Sequence, residues 1–109
     1  MKLDEYQKLA GRTINKELTW ASLRNHALFG MCSEVGEIQS YFQKQYQGHE
    51  IDEHELMLEI GDCMWFIAEL CTAFGWDMDE VCKANIAKLK KRYPEGFSEE
   101  RSVHREEYE

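Results

Sequence analysis

The chain has 109 residues, of which 43% are hydrophobic and 12% are aromatic, and its formal net charge is -8. This length fits a single domain, and the apolar content is sufficient to build one core. The acidic balance excludes a protein that coats a nucleic-acid polymer or an anionic membrane, because both partners require a basic face.

The sequence predicts an all-α fold. It contains a single proline, and no segment shows the alternating, β-branched pattern of a half-buried strand. Four helices are expected, in this order: Asp4 to Glu17, Ser22 to Gln47, Glu53 to Phe74, and Met78 to Tyr93.

Residues that start or stop helices define these bounds. Gly48 closes the second helix, and Asp52 is placed to cap the third, with Glu55 three residues later. Gly75 ends the third helix, since glycine readily adopts the left-handed conformation found at helix C-termini. Pro94 ends the fourth, because proline cannot continue a helix.

Residues 99–109 are almost all polar and offer little to bury, so we expect a folded domain over residues 1–98 followed by an acidic, flexible C-terminal tail. The four cysteines form no Cys-x-x-Cys pair and lie in apolar stretches, which indicates reduced core residues. The N-terminal residues lack a long apolar run, so no signal peptide or membrane span is expected and the cytoplasm is the expected compartment.

Two of the predicted helices carry acidic pairs at equivalent positions. The apolar stripe of the second helix consists of Leu28, Met31, Val35, Ile38 and Phe42. The stripe of the third helix consists of Leu56, Ile60, Cys63, Ile67 and Leu70. Glu34 and Glu37 lie at the edge of the first stripe, and Glu59 and Asp62 lie at the matching edge of the second. If the helices pack antiparallel through their stripes, the four carboxylates converge.

Four carboxylates in one place repel one another unless a cation lies among them. Ligands that are all oxygen favour Mg²⁺, with Mn²⁺ as a second choice, over zinc. No Glu-x-x-His occurs in these helices, which argues against a di-iron site. The alternative interpretation is a solvated helix face, since acids three residues apart are common in a chain with 31% charged residues.

The residues around these acids resemble a known family. The resemblance lies in residues 33–37 (SEVGE), 59–62 (EIGD) and 85–97 (NIAKLKKRYPEGF). Together they look like the signature of MazG-like nucleotide pyrophosphohydrolases, over about residues 25–98. The family motif has an additional glutamate where this chain has Ser33.

The resemblance implies a bundle of four to five helices that is completed by oligomerisation as a homodimer or homotetramer. It also implies Mg²⁺-dependent hydrolysis of a nucleoside triphosphate to the monophosphate and pyrophosphate. Four residues match the family's metal ligands and catalytic acids: Glu34, Glu37, Glu59 and Asp62.

Basic residues near the end of the fourth helix are candidates for binding the phosphates. Lys88 and Arg92 are four residues apart on one face, with Asn85 one turn earlier. These positions match the family's phosphate-binding positions. The alternative is that the cations only complement the negative end of the helix dipole.

Three aromatic residues, Trp20, His26 and Trp65, are candidates for holding the nucleobase, because aromatic faces stack on bases. Their alternative role is core or interface packing. For the chain as a whole, the competing function is a non-catalytic helical module that binds nucleotides or a protein partner, in which the acids serve solubility.

Overall fold

The computed structural model describes residues 1–108, so Glu109, the last residue of the predicted tail, lies outside the described residues. Within this range helices are the only extended secondary structure and no strand is present, which confirms the predicted all-α fold. The α-helices are α1 (Leu3–Gly11), α2 (Trp20–Tyr46), α3 (Glu53–Phe74), α4 (Met78–Arg92) and α5 (Glu99–Val103), and a 3₁₀ turn spans Arg105–Tyr108. The chain divides into two compact units, Met1–Asp77 and the residues from Met78 onward.

Helix α1 is shorter than the sequence predicts, ending at Gly11 rather than at Glu17. Beyond Gly11 the backbone forms tight turns, in which the Thr13 amide donates to the Ala10 carbonyl at 3.1 Å. The Thr13 hydroxyl donates to the same carbonyl at 2.9 Å. This local side-chain hydrogen bond competes with helix continuation and explains the early end.

The other helix ends follow local capping chemistry. Helix α2 begins at Trp20, slightly before the predicted start, because Thr19 caps it by accepting from the Ser22 amide. Helix α3 has the predicted bounds, and the Asp52 side chain accepts from the amides of its first turn. Gly75 ends α3 in the left-handed conformation, with φ of 75°.

Helices α2 and α3 form an antiparallel hairpin within the first unit. Their contacts run in opposite sequence directions: Arg24 with Phe74, His26 with Glu69, Gly30 with Phe66, and Glu34 with Glu59 and Asp62. The Arg24 guanidinium lies 4.1 Å from the Phe74 ring centroid and donates to the Ala73 carbonyl. The start of α2 therefore holds the end of α3.

The apolar stripes lie beside the contact between α2 and α3 and not at its centre, where the sequence analysis placed them. Leu28, Val35 and Phe42 of the α2 stripe are 50%, 55% and 53% exposed, and Ile60 of the α3 stripe is 49% exposed. The face of α2 turned toward α3 includes the small residues Ala27 and Gly30 and the acid Glu34. Small residues let the helices approach closely, so the acids lie between the helices. Most of the α2 stripe is exposed, whereas in the α3 stripe only Ile60 is exposed and the other four residues are partly buried.

Polar contacts hold α1 against α3 at the middle of α1 and just beyond its C-terminal end. The Gln7 amide donates to the Thr72 hydroxyl at 3.1 Å and to the Trp76 carbonyl at 2.9 Å. Just after α1, Thr13 accepts a hydrogen bond from the Trp65 indole at 2.8 Å. These bonds fix α1 along one side of α3.

In the second unit, residues 99–108 have regular structure where the sequence analysis expected a tail with little to bury. Ser98 caps α5 by accepting from the Arg101 amide. The Arg101 side chain donates to the carbonyls of Lys91 and Arg92 at the end of α4 and lies 3.5 Å from the Tyr108 ring centroid. The polar residues therefore satisfy the open C-terminus of α4. The flexibility of this segment stays a prediction.

All four cysteines are free thiols, as predicted, but only Cys71 is buried, while Cys32 and Cys82 are exposed. Their expected place in the core is therefore correct for Cys71 and wrong for the two exposed residues. Among residues 1–108, no helix is both long enough and apolar enough to cross a membrane.

Candidate metal centre and nucleotide site

Three carboxylates from α2 and α3 meet between the helices. Glu34, Glu59 and Asp62 each offer one oxygen, and these oxygens all lie within 4.8 Å of one another. Glu59 and Asp62 share one face of α3 because they are three residues apart, and Glu34 reaches them from α2. Glu37, one turn after Glu34, is hydrogen-bonded to Glu59. The structure thus brings all four sequence-predicted acids into one group.

Crowding makes two of these acids, Glu37 and Glu59, hold protons more tightly than usual. The hydrogen bond with Glu59 raises the pKa of Glu37, and repulsion from the Glu59 charge adds to the effect. The pKa of Glu59 is raised as well, principally by its hydrogen bond with Glu34. A proton shared between neighbouring carboxylates reduces their mutual repulsion, and a cation would do the same.

The group fits a divalent cation. Glu34 Oε2 and Glu59 Oε2 are both buried, and neither has a hydrogen-bond partner among the described residues. A buried carboxylate oxygen without a partner is unfavourable, and a cation between the helices would satisfy both atoms. Because every donor is a carboxylate oxygen, the set suits Mg²⁺ or Mn²⁺ better than zinc.

Three further side chains lie close to the acids, and the sequence analysis did not single out any of them for this role. Burial and the nearby charge of Asp62 raise the pKa of Tyr6 on α1. Burial also raises the pKa of Tyr41 and of Cys63, with smaller contributions from the acids around them. The position of Tyr6 shows that α1 flanks the Asp62 side of the group.

Two of the predicted base-binding residues, His26 and Trp65, lie together in the first unit. Their ring centroids are 6.4 Å apart in an edge-on arrangement, and Phe66 packs against both rings. His26 Nδ1 lies 2.7 Å from an oxygen of Glu69, which is only 1% exposed. Trp65 follows Asp62 by three residues, so the aromatic cluster lies one turn along α3 from the acids.

Trp20, the third predicted base-binding residue, lies elsewhere in the first unit. It is 62% exposed and lines a largely apolar cavity of about 580 Å³ together with Ile14, Leu18 and Leu23. None of the four acids lines this cavity. The structure therefore does not bring Trp20 into the cluster of His26 and Trp65.

The predicted phosphate-binding residues lie on α4 in the second unit. Asn85 and Lys88 are exposed, whereas Arg92, at the end of the helix, is only 9% exposed. The last turn of α4 also contains Lys90 and Lys91, so this helix end is strongly basic. The phosphate-binding role of these residues stays a prediction.

Sequence reasoning missed Glu69 and Phe66. A signal for Glu69 was present, because this acid interrupts the apolar run of α3 and lies seven residues after Asp62, on the same helix face. Phe66 had no such signal. Its role depends on Gly30, where an added Cβ would lie 2.1 Å from the Phe66 ring.

Two antiparallel helices that direct carboxylates toward each other define a helical protein with an acidic, all-oxygen candidate metal site. Comparison with protein families supports this classification, since residues 25–97 match the MazG nucleotide pyrophosphohydrolase domain. The chain belongs to this family, which implies a hydrolase acting on the pyrophosphate bonds of nucleotides. Searches of curated proteins and of solved structures found no match.

Proposed function

We propose that residues 1–98 hydrolyse a nucleoside triphosphate to a nucleoside monophosphate and pyrophosphate with the help of Mg²⁺ or Mn²⁺. Glu34, Glu59 and Asp62 would hold the ion. The observation that carries this proposal is the pair of buried oxygens without partners, Glu34 Oε2 and Glu59 Oε2, inside a group of carboxylates. Membership of the family supplies the reaction class.

The hydrolysis requires charge neutralisation on the phosphates and a base for the attacking water. When bound, Mg²⁺ would offset the charge of the triphosphate and polarise its phosphoryl oxygens. Glu37 is exposed and adjoins Glu59, so we assign it the role of the general base, which accepts a proton from the attacking water. The water oxygen bonds to the α-phosphorus, the bond from that phosphorus to the bridging oxygen breaks, and pyrophosphate leaves with the electron pair.

Substrate contacts are assigned to the residues that the sequence identified. Lys88, Arg92 and Asn85 would bind the phosphates, and His26 and Trp65 would hold the base. Trp20, which lies apart from this pair, is not assigned to the base. The half-exposed His26 ring beside Trp65 supports a base site in the first unit. The exposed Lys88 on a basic helix end supports a phosphate role for α4.

We further propose that two or four copies of the chain associate through the exposed α2 stripe and the exposed part of the α3 stripe. Leu28, Val35 and Phe42 recur every seven residues along one face of α2, and each is at least half exposed. Exposed apolar surface of this kind is typical of protein interfaces. Copies of the same chain are the natural partners, because a closed symmetric assembly would cover the α2 stripe together with Ile60 of the α3 stripe.

The test is pyrophosphate release from the eight standard ribo- and deoxyribonucleoside triphosphates, with Mg²⁺ or Mn²⁺ and with a chelator as the blank. We expect metal-dependent release from at least one substrate and its loss in Glu37→Gln. The matched control is Glu53→Gln, which neutralises an exposed acid in the first turn of α3 and should retain activity. If the folded wild-type chain releases no pyrophosphate from any of the eight with either metal, the proposal is wrong.

A further inference from the structure

Glu69 is a buried acid to which the proposed chemistry gives no role. It lies on α3 and is 1% exposed, and both of its carboxylate oxygens face one atom, His26 Nδ1, at 2.7 Å and 3.1 Å. Burying a carboxylate is unfavourable unless hydrogen bonds compensate for the lost water. His26 provides that compensation from α2.

This contact determines how the His26 ring is presented. A carboxylate only accepts hydrogen bonds, so the proton on that side of the imidazole lies on Nδ1. An edge contact with Trp65 and a tilted contact with Phe66, at centroid distances of 6.4 Å and 5.8 Å, further restrict the ring. The other nitrogen, Nε2, has no polar partner among residues 1–108, and the His26 side chain is 50% exposed.

The position of His26 relative to the acids suits one nucleotide. His26 precedes Glu34 by eight residues on α2, which corresponds to about 12 Å along the helix axis, on the scale of a nucleoside. On α3, Asp62, Trp65 and Glu69 recur at intervals of three and four residues and so share one face. Trp65 therefore lies between the acids and the Glu69–His26 pair.

We propose that Glu69 is a positioning residue, which holds His26 so that Nε2 forms a hydrogen bond with the base of a bound nucleotide whose phosphates lie at the acidic group. Trp65 forms the aromatic wall of this base subsite. The inference rests on the proposed function for the location of the phosphates. It goes further in assigning base recognition to one ring nitrogen and to the buried acid behind it.

The test separates base recognition from a purely structural role of the pair. In His26→Leu, Glu69 is buried without its partner, so this variant should be less stable than the wild type. The double variant His26→Leu/Glu69→Leu replaces the pair with two apolar side chains, which should recover stability. It still lacks Nε2. Glu53→Gln is the control for loss of one acid from α3.

Binding is measured by isothermal titration calorimetry in Mg²⁺ with non-hydrolysable α,β-methylene analogues of dATP, dCTP, dGTP and dTTP. Inorganic triphosphate is the probe without a base. For the analogue that the wild type binds best, we expect at least tenfold weaker binding by the double variant. Inorganic triphosphate should bind both proteins equally.

Three results would overturn the inference: wild-type affinity for the analogues in the folded double variant, an equal loss for inorganic triphosphate, or no binding of any analogue by the wild type. The proposed function is judged separately by pyrophosphate release. If the wild-type chain releases pyrophosphate but the double variant binds nucleotides normally, the proposed hydrolase function stands. Only the role of the Glu69–His26 pair in base recognition is then wrong.

Discussion

Each acid between α2 and α3 affects both stability and metal binding. Glu34 and Glu59 bury oxygens that have no hydrogen-bond partner in the described part of the chain, and Glu37 and Glu59 hold their protons more tightly than free carboxyls do. Without a cation these features oppose folding, and the cation of the proposed function would relieve them by binding among the carboxylates. Loss of a single acid should therefore have opposite effects on the metal-free and metal-bound protein.

Glu59→Gln should raise the melting temperature in the presence of a chelator, because it removes one charge from the crowded group. It should also abolish the stabilisation by Mg²⁺, which at 100 times the dissociation constant amounts to about 2.7 kcal/mol for an intact site. Pyrophosphate release should fall about 100-fold or more, since changes even to the outer-shell partners of metal ligands cost 10–100-fold. Thermal melts with and without Mg²⁺ measure the first two effects. If Mg²⁺ raised the melting temperature of Glu59→Gln as much as that of the wild type, the result would contradict the metal site.

The raised pKa values of Glu37 and Glu59 predict a pH dependence of stability. When the folded-state pKa of a carboxyl exceeds its unfolded value of about 4.5, the folded state binds the proton more tightly than the unfolded state does. Its contribution to stability is therefore present at low pH and is lost as the pH rises through the folded-state pKa.

Mg²⁺ competes with these protons, so the stabilisation by Mg²⁺ should increase with pH over the same interval. Melting temperatures measured from about pH 4.5 to pH 8, with a chelator and with Mg²⁺, test both trends. In Glu37→Gln the difference between the two series should depend less on pH. If the stabilisation by Mg²⁺ were largest at the lowest pH, the predicted direction of the pH dependence would be wrong.

At the scale of helices, the separation of α2 and α3 is set where Phe66 lies on the bare backbone of Gly30. Even one methyl group at position 30 would meet the ring at 2.1 Å. Gly36 lies on the same helix, and nothing lies within 4 Å of the corresponding Cβ position. The two glycines therefore offer a matched pair of substitutions.

Gly30→Ala should destabilise the protein by about 1–3 kcal/mol, the usual cost of overpacking a tight contact. Gly36→Ala should stabilise it by about 0.5–1 kcal/mol, because alanine loses less backbone entropy than glycine in a helix. Chemical denaturation of both variants provides the comparison. Equal effects at the two positions would mean that Phe66 does not control the helix separation.

The sequence predicts the helices well where local chemistry decides their ends. Asp52 and Gly75 mark the bounds of α3 correctly because a cap depends on residues within one turn. The face through which α2 packs is not predicted correctly, because an apolar stripe does not identify its partner. The stripe with Val35 faces outward, and the acidic face turns toward α3.

The candidate site shows the same division between local and long-range information. The spacing of Glu59 and Asp62 predicts a shared face, and the resemblance to MazG-like proteins pairs them with Glu34 and Glu37. The buried partner of His26 lies 43 residues away along the chain, at Glu69, and no local pattern connects the two. Tyr6 likewise approaches Asp62 only because α1 packs beside α3.

At the scale of the whole molecule, the exposed α2 stripe and the exposed part of the α3 stripe predict self-association. Val35→Glu places a charge in the middle of the α2 stripe and should shift the assembly toward the monomer, because an interface core does not tolerate an unpaired charge. Gln43→Glu adds the same charge at an exposed position outside the stripe and should leave the assembly unchanged.

Sedimentation equilibrium over a range of protein concentrations measures the mass of each variant. We expect a dimer or tetramer for the wild type and Gln43→Glu, and a lower mass for Val35→Glu. A wild-type chain that is monomeric throughout the range would contradict association through these stripes.

The bare backbone at Gly30 also bears on which ion the chain accepts. Mg²⁺ requires oxygens at about 2.0–2.1 Å, whereas Ca²⁺ takes them at about 2.3–2.6 Å. Glu34 follows Gly30 by one helical turn, so a side chain that pushed α2 away from Phe66 would also widen the gap between Glu34 and Glu59. Gly30, although it would not contact the ion, would thereby set the ionic radius that fits between Glu34 and Glu59. A larger side chain at position 30 would move the preference from Mg²⁺ toward Ca²⁺.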